Sequence, residues 1–517
     1  MVYPAVAIVM LVIASLACVR DSPQEVIYIT ATFLPPTHTP AQIVLPATQS
    51  PIIQAVPTQV PAAANSDNAE PPASYVVQPG DTLTQIAASY GVTLETILEL
   101  NSIANPDLLE VGQVLQIPAV TIIEAPAERL IPDGRLVRGP SSVAFDTASF
   151  ISTQTGFVRD AVDTVDEVEY PAVQLIERVS LEFSVDPRLL IALLEYRAGW
   201  LTTAEMSPAA RDYPLNAPPS SIGFERRGLY RQLTWAADTL NAAYYRRQAN
   251  TISTVGLQDN TLIRLSASAN SGTVALHVLF ARTATAESWA KDVGIEGFMK
   301  TYRDLFGDPF ADGDQSPVPD NLQQPTLVLP FAPGETWYFT GGAHGGWGSG
   351  SAWSAVDFAP PDDLSQVTTS CYTSQFYATA VADGVVARVD TGVLVLDLDG
   401  DGNEETGWSI LYLHIAAEGR PAVGSRLTLG DRVGRPNCEG GFSNGTHLHI
   451  ARRYNGEWIP ANCLSCASSP RPNFVMSGWQ VETLPGQEYQ GYLVQGQRRL
   501  IAEQARGIAD NEVRYED

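Results

Sequence analysis

Six histidines occur in the 517 residues, and four of them, His344, His414, His447 and His449, fall within one fifth of the chain, with Asp357 among them. Imidazole nitrogen and carboxylate oxygen are donors that suit zinc, and three protein ligands leave a fourth position open, as in a catalytic rather than a structural site. The local patterns sharpen this. Val356 and Phe358 flank Asp357, Leu411, Leu413 and Ile415 alternate with His414, and Leu448 and Ile450 alternate with His447 and His449. Successive strand residues point to opposite faces. Each segment is therefore expected to bury its aliphatic residues on one side and present its ionisable group on the other. In a shared sheet, one carboxylate and the imidazoles would converge on one face. His447 and His449 would emerge roughly 6.6 Å apart, so one can hold a metal while the other reaches a reacting water. Gly-containing turns at Asp383-Gly384, Gly430-Asp431 and Asn444-Gly445, with a period of two between them, predict an antiparallel β domain.

Three segments carry a resemblance: Ala343–Phe358 (AHGGWGSGSAWSAVDF), His414 after Leu411-Tyr412-Leu413, and Gly445–Ile450 (GTHLHI). They look like the motifs of the lysostaphin/LytM-type (M23) zinc peptidases, over roughly residues 325–465. Twelve residues separate His344 from Asp357, a longer loop than is usual in that family, and this resembles the β-lytic/staphylolysin branch. The six glycines between positions 341 and 350 would let such a loop fold back. The resemblance implies that His344, Asp357 and His449 bind Zn2+, and that His414 and His447 act on the reacting water and the developing oxyanion. It implies hydrolysis of peptide cross-links in bacterial peptidoglycan. The alternative from another class is a non-catalytic wall-binding activator of a separate amidase. Such activators combine similar modules but typically lack the ligands that are filled here.

The elements upstream fit a wall-directed protein. Residues Tyr75–Pro118 alternate short apolar strands with two helical patterns, a β-α-α-β unit of about 45 residues. Through Gly80-Asp81-Thr82-Leu83, Ile86-Ala87, Leu100-Asn101 and Val111–Pro118 it resembles the LysM module, which implies binding of N-acetylglucosamine-containing glycan. The implied groove lies between Gly80, Asp81, Thr82 and Leu83 on one side and Asn105, Pro106, Asp107 and Leu109 on the other. From about 160 to 310 the periodicity is mostly helical, and Asp186-Pro187 reads as an N-cap with Pro at the first helical position. The stretch Phe183–Gly199 resembles the catalytic segment of lytic transglycosylases, but Arg197-Ala198 stand where those enzymes carry Glu-Ser. An arginine cannot act as the carboxylic acid that protonates a glycosidic oxygen. Glu195 lies about 200° around the helix from that position. A glycan-holding or spacer role is therefore expected. His277, in the apolar run Thr273–Phe280, reads as a core residue.

The N-terminal run Ala5–Ala17 has 13 apolar residues, short of the roughly 20 that span a bilayer. It reads as a signal-peptide core, and Ala17-Cys18 resembles a bacterial lipoprotein signal in which Cys18 would be lipidated. An uncleaved membrane anchor over Met1–Val19 is the alternative, and both place the remainder outside the cytoplasm. Residues 31 to 73, rich in Pro, Thr, Ala and Gln, suit an extended polyproline tether. A net charge of -26 with no Lys/Arg cluster argues against a nucleic-acid partner. Cys371, Cys438, Cys463 and Cys466 suggest two disulfides; Cys371–Cys438 with Cys463–Cys466 is preferred among three connectivities, because the close pair can bridge locally. Asp397, Asp399 and Asp401 have calcium-loop spacing, so Ca2+ is possible. Trp408 at the twelfth position excludes a full EF-hand, and a polar hairpin turn accounts for the segment equally.

The expected architecture is a multidomain α+β protein. It comprises a signal segment at 1–18, a tether at 19–73, a LysM module at 74–119 and a mainly helical, non-catalytic domain at 150–312. An antiparallel β-sheet peptidase domain at 325–466 and a C-terminal β appendage at 467–517 complete it.

Overall fold

In the computed structural model, residues 73–517 are described except 78–81, 84–85, 88–91, 93, 104, 106–108, 118–120, 221–222, 314–315, 464–469, 508 and 517. The expected signal segment, Cys18, the tether, Gly80, Asp81, Pro106, Asp107 and Cys466 lie outside the described residues. Among those described, no helix is long and apolar enough to cross a membrane.

Strand β1 (Ala73–Val76) pairs antiparallel with β2 (Val114–Ile117), and helix α1 (Leu94–Asn101) closes the module by burying Ile97 with Leu115 and Ile117. So small a unit buries little apolar surface, and a polar clasp supplements it. The Asn101 amide donates to the Gln116 carbonyl at 2.8 Å and accepts its N–H at 2.6 Å. Leu83 belongs to this core at 2% exposure, which corrects its expected place on a glycan groove: its side chain is needed inside. Thr82 and Asn105 are exposed and Leu109 is half-buried.

The middle of the chain contains α2 (Ala172–Phe183), α3 (Pro187–Ala198), α4 (Leu229–Gln248), α5 (Ser271–Ala281) and α6 (Phe298–Phe306). Asp186 caps α3 by accepting the Arg188 N–H at 2.9 Å, ahead of Pro187. Helix α5 is buried on every side, His277 included. Burial without a hydrogen-bonding partner pushes the His277 imidazole down to about 4. The region is not purely helical. An antiparallel hairpin (Val162–Val165 with Val168–Pro171) and a three-stranded sheet that recruits Ile122–Glu124 interrupt it.

A nine-stranded antiparallel sheet follows. Its strands are β3 (Thr336–His344), β4 (Ala355–Ala359), β5 (Gly384–Asp390), β6 (Val393–Asp397), β7 (Trp408–Leu413), β8 (Arg426–Leu427), β9 (Leu448–Tyr454), β10 (Glu457–Trp458) and β11 (Glu512–Arg514). The spatial order is β8-β5-β6-β7-β9-β4-β3-β11, with β10 on β9. The last strand corrects the expected boundary at 466. Residues 475–501 do form a small antiparallel sheet, but Val513 then pairs with Trp337, and Trp479, Val481 and Leu493 join the core under the large sheet.

The two faces of the sheet differ. Ile410, Tyr412, Val356, Phe358, Leu448 and Ile450 pack into that inner core. Leu411, Leu413, Val393, Ala355, Ala451 and Trp458 share one continuous core with the helical segment. Polar clasps reinforce the seam: Tyr244 donates to Glu457 at 2.8 Å, and the Trp458 N–H donates to the Tyr245 hydroxyl at 3.0 Å. Trp458, 1% exposed, sits at this junction. Trp458→Ala is expected to remove about 3–5 kcal/mol. Calorimetry should show the helical segment and the sheet unfolding together in wild type; two separated transitions would contradict the shared core.

Candidate metal centre

Asp357 on β4 and His449 on β9 are direct cross-strand partners, and Gly341 on β3 faces Asp357 from the other side. A Cβ at Gly341 would lie 2.4 Å from Oδ2 of Asp357, so only glycine leaves the carboxylate its place. His344 ends β3 and His447 leads into β9. His344 Nε2 lies 2.9 Å from His449 Nδ1, and Asp357 Oδ1 lies 3.3 Å from each of these nitrogens. His447 Nε2 is 3.7 Å from the same oxygen. The His414 and His447 rings stand 4.6 Å apart. All five residues line one cavity of about 820 Å3.

Hydrogen bonds decide what each ring can offer. His344 Nδ1 donates to the Gly342 carbonyl at 2.8 Å, and His447 Nδ1 to that of Gly445 at 2.7 Å. His414 Nδ1 donates to Glu439 at 3.0 Å, and His449 Nε2 to Gly346 at 3.1 Å. In each neutral ring the second nitrogen is then a lone pair. Those of His344 and His449 face one another and Asp357 Oδ1, which is buried without a hydrogen-bond donor. Three converging acceptors repel unless a cation lies between them. Their spacing approaches the edge of about 3.3 Å expected for a tetrahedral site with bonds of roughly 2.0–2.1 Å. The donor set fits zinc.

Electrostatics agree. Burial opposes a charge on His344, yet the Asp357 carboxylate outweighs it and raises that imidazole above its ordinary value. Burial keeps His449 below it. Burial also opposes ionisation of Asp357, but the imidazoles, His344 foremost, hold its carboxyl well below the usual range. Burial first, then His447 and His449, pushes His414 down to about 3, which keeps its ring neutral at physiological pH.

The alternation argument holds for Asp357 and His449 and fails for His414. Leu411 and Leu413 lie on the same sheet face as the site, and Leu413 pairs with His449. A continued strand would turn residue 414 toward the inner core. Instead His414 adopts φ 64° just after β7, which shifts the phase by one residue. Its ring enters the cavity and Ile415 takes the inner face. The His414 carbonyl accepts the Asn437 N–H at 2.7 Å, and Glu439 holds the ring. Between them, Cys438 is disulfide-bonded to Cys371. Cys463 is also disulfide-bonded.

Two side chains that sequence reasoning missed complete the wall. Tyr489 stacks on His344 at 4.2 Å, and Glu488 accepts the Gly345 N–H at 3.2 Å; both come from the C-terminal segment, where no local pattern marked them. The calcium expectation gains no support. The oxygens of Asp397, Asp399 and Asp401 come within 4.8 Å of one another. Asp397, however, accepts the N–H groups of Asp399, Gly400 and Gly402, and Asp401 accepts from Asn403 and Thr406. This is a self-satisfied polar turn. In the helical segment Glu195 accepts the Leu201 N–H and the Thr202 hydroxyl, both at 2.7 Å, and Arg197 pairs with Asp292 at 3.0 Å.

The Cys371–Cys438 bridge spans 67 residues. C371S/C438S is expected to cost about 2–5 kcal/mol; an unchanged thermal midpoint would show that the bridge does not hold this segment.

Residues 129–319 match the family described as LasA, N-terminal domain, and residues 75–118 match the LysM domain. Protease LasA of Pseudomonas aeruginosa is 25% identical over 371 residues, covering 67% of this chain and 77% of the relative. N-acetylmuramoyl-L-alanine amidase XlyA of Bacillus subtilis is 48% identical over 61 residues, 12% of this chain and 20% of the amidase. Among solved structures, the deep-sea M23 metalloprotease pseudoalterin aligns at 23% identity over 35% of this chain and 96% of its own, with a TM-score of 0.27. The lysostaphin catalytic domain from Staphylococcus simulans aligns at 21% identity over 23% and 80%, with a TM-score of 0.16. The chain thus carries a LysM domain and is similar to Protease LasA over two thirds of its length, in a multidomain α+β fold.

Proposed function

We propose that this chain is an exported zinc endopeptidase that hydrolyses peptide cross-links of bacterial peptidoglycan, held near its substrate by the LysM domain. The observation that carries the reading is the convergence of two imidazole lone pairs and an orphaned carboxylate oxygen on one point, beside two further imidazoles. In this reading His344 binds through Nε2, His449 through Nδ1, and Asp357 through Oδ1.

Zinc, when bound, supplies Lewis acidity toward a scissile carbonyl and brings the pKa of water to about 7. The chain does the rest. His414 and His447 keep Nε2 as the proton acceptor, because Nδ1 is committed to a backbone carbonyl. His414, kept neutral by burial, takes the proton from the attacking water. The imidazolium so formed on His414 returns that proton to the leaving amine, while the Nε2 lone pair of His447, nearer Asp357, accepts a hydrogen bond that orients the attacking water. In this reading the peptide substrate enters the cavity lined by the glycine-rich loop and Tyr489.

The LysM domain supports glycan recognition through Gly80, Asp81 and Thr82 and the loop at 105–109, and a tethered second contact raises local substrate concentration. The Cys371–Cys438 disulfide is in keeping with an oxidising, extracytoplasmic setting. Cys18 is the proposed point of membrane attachment, by lipid.

The full-length protein is expected to bind one zinc per chain and to release amines from purified sacculi, and a chelator should abolish that release. Asp357→Ala should remove stoichiometric zinc. His447→Ala should retain zinc while turnover falls by about 10^2–10^4-fold. Zinc binding with no amine release from wild type would favour a non-catalytic wall-binding role.

A further inference from the structure

Residues 502–507 connect the small C-terminal sheet to β11, and their backbone is closely held. The Ala502 N–H donates to the Gly491 carbonyl at 3.0 Å and the Glu503 N–H to that of Phe339 at 3.2 Å. The buried Asn511 amide donates to the carbonyls of Glu503 and Ala505, at 2.9 and 2.7 Å. This fastening sets Gln504 and Arg506 on the wall of the cavity that contains the metal centre.

Arg506 is half-buried, and all its partners are neutral. Nη1 donates to the Tyr372 hydroxyl at 2.6 Å and to the Pro360 carbonyl at 3.4 Å, and Nη2 donates to the Thr446 carbonyl. Asp362 joins this network only through the Tyr372 hydroxyl, at 3.3 Å. No carboxylate among the described residues lies within 4 Å of the guanidinium. Arg388, Arg453 and Arg471, by contrast, each meet one. Partial burial of an unpaired charge is costly, and a hydrogen-bonded staple alone does not require one. A guanidinium carries five N–H donors; its Nε–H and one Nη2–H have no acceptor among the described residues. The exposed Gln504 amide, two positions away, likewise has no intramolecular partner. Among the described residues, Arg506 is the one lysine or arginine that lines the cavity, in a chain of net charge -26.

Carboxylates accept such donors in pairs. Thr446, which Arg506 grips, precedes His449 by three positions, roughly 10 Å of strand. We infer that Arg506 and Gln504 form a carboxylate-binding subsite, and that the substrate class is a wall peptide with a free carboxylate about three extended residues from the cleaved bond. This rests on the peptidase reading and adds the charge of the substrate, which the metal centre does not specify. Arg506 determines specificity and touches neither the metal nor the reacting atoms.

The test uses the full chain as wild type, Arg506→Gln, Arg506→Lys, Tyr372→Phe and Gln504→Glu. A synthetic cross-linked stem peptide is prepared in two forms, one with free carboxyls and one with every carboxyl converted to carboxamide. Titration calorimetry measures binding of each form to the metal-free chain, and kcat and KM are measured on the zinc-loaded chain. Wild type is expected to bind the free acid about tenfold more tightly than the carboxamide, with the same preference in KM. Arg506→Gln should erase the preference. Arg506→Lys should keep part of it, since the charge stays but the planar fork is lost. Tyr372→Phe removes one anchor without the charge and should keep the preference. Gln504→Glu, at an exposed position, offers Arg506 an internal carboxylate and should erase the preference even if Arg506→Gln misfolds. Equal binding of the two forms by wild type, or no binding of either, would overturn the inference. So would a preference that survives Gln504→Glu, or an equal loss for both forms in Arg506→Gln, which would make Arg506 only a clamp on Thr446. Preference without turnover by zinc-loaded wild type would instead defeat the peptidase reading and leave the subsite standing.

Discussion

A neutral imidazole carries one ring proton, and where that proton is committed decides whether the other nitrogen can hold a metal or accept a proton. Four rings in this cavity are subject to that constraint, and backbone carbonyls meet it in every case: Gly342, Gly346, Glu439 and Gly445. Carbonyls suit the task because they cannot be protonated near neutral pH and are held by the chain itself. They make the site directional. Each ring turns its acceptor nitrogen inward, and the repulsion among those acceptors is relieved only by a positive charge between them.

Much of the surrounding structure serves these four carbonyls. Gly342 and Gly445 each lie two residues before the histidine they hold, so local turns suffice. Glu439 and Gly346 are distant in sequence and need external support. The Cys371–Cys438 bridge anchors the first, and the Glu488 contact from the C-terminal segment steadies the second.

Legibility in the sequence followed the range of the interactions. The strands bearing Asp357 and His449 were readable because their aliphatic neighbours alternate strictly, and the α3 start was readable from Asp186-Pro187. His414 reaches the site by a route that alternation alone does not supply. Its flanking leucines suggested simple alternation, but they lie on the face of the site, and a left-handed residue corrects the phase. Nothing in Leu411–Ile415 announces that backbone turn. Leu83 sits in the module core rather than on a groove, because a loop motif says little about which of its side chains that core requires. Glu488 and Tyr489 left no mark at all, since each acts through a contact more than a hundred residues away. The acidic run at Asp397–Asp401 had the right spacing for a cation but spends its oxygens on its own backbone.

The central claim is that backbone carbonyls fix the tautomer of each ring before any metal arrives. Nitrogen-15 NMR of the imidazole side chains in the metal-free protein tests it most directly. The account predicts a proton on Nε2 of His449 and on Nδ1 of His344, His414 and His447. A His449 protonated at Nδ1, or rings exchanging freely between tautomers, would contradict it.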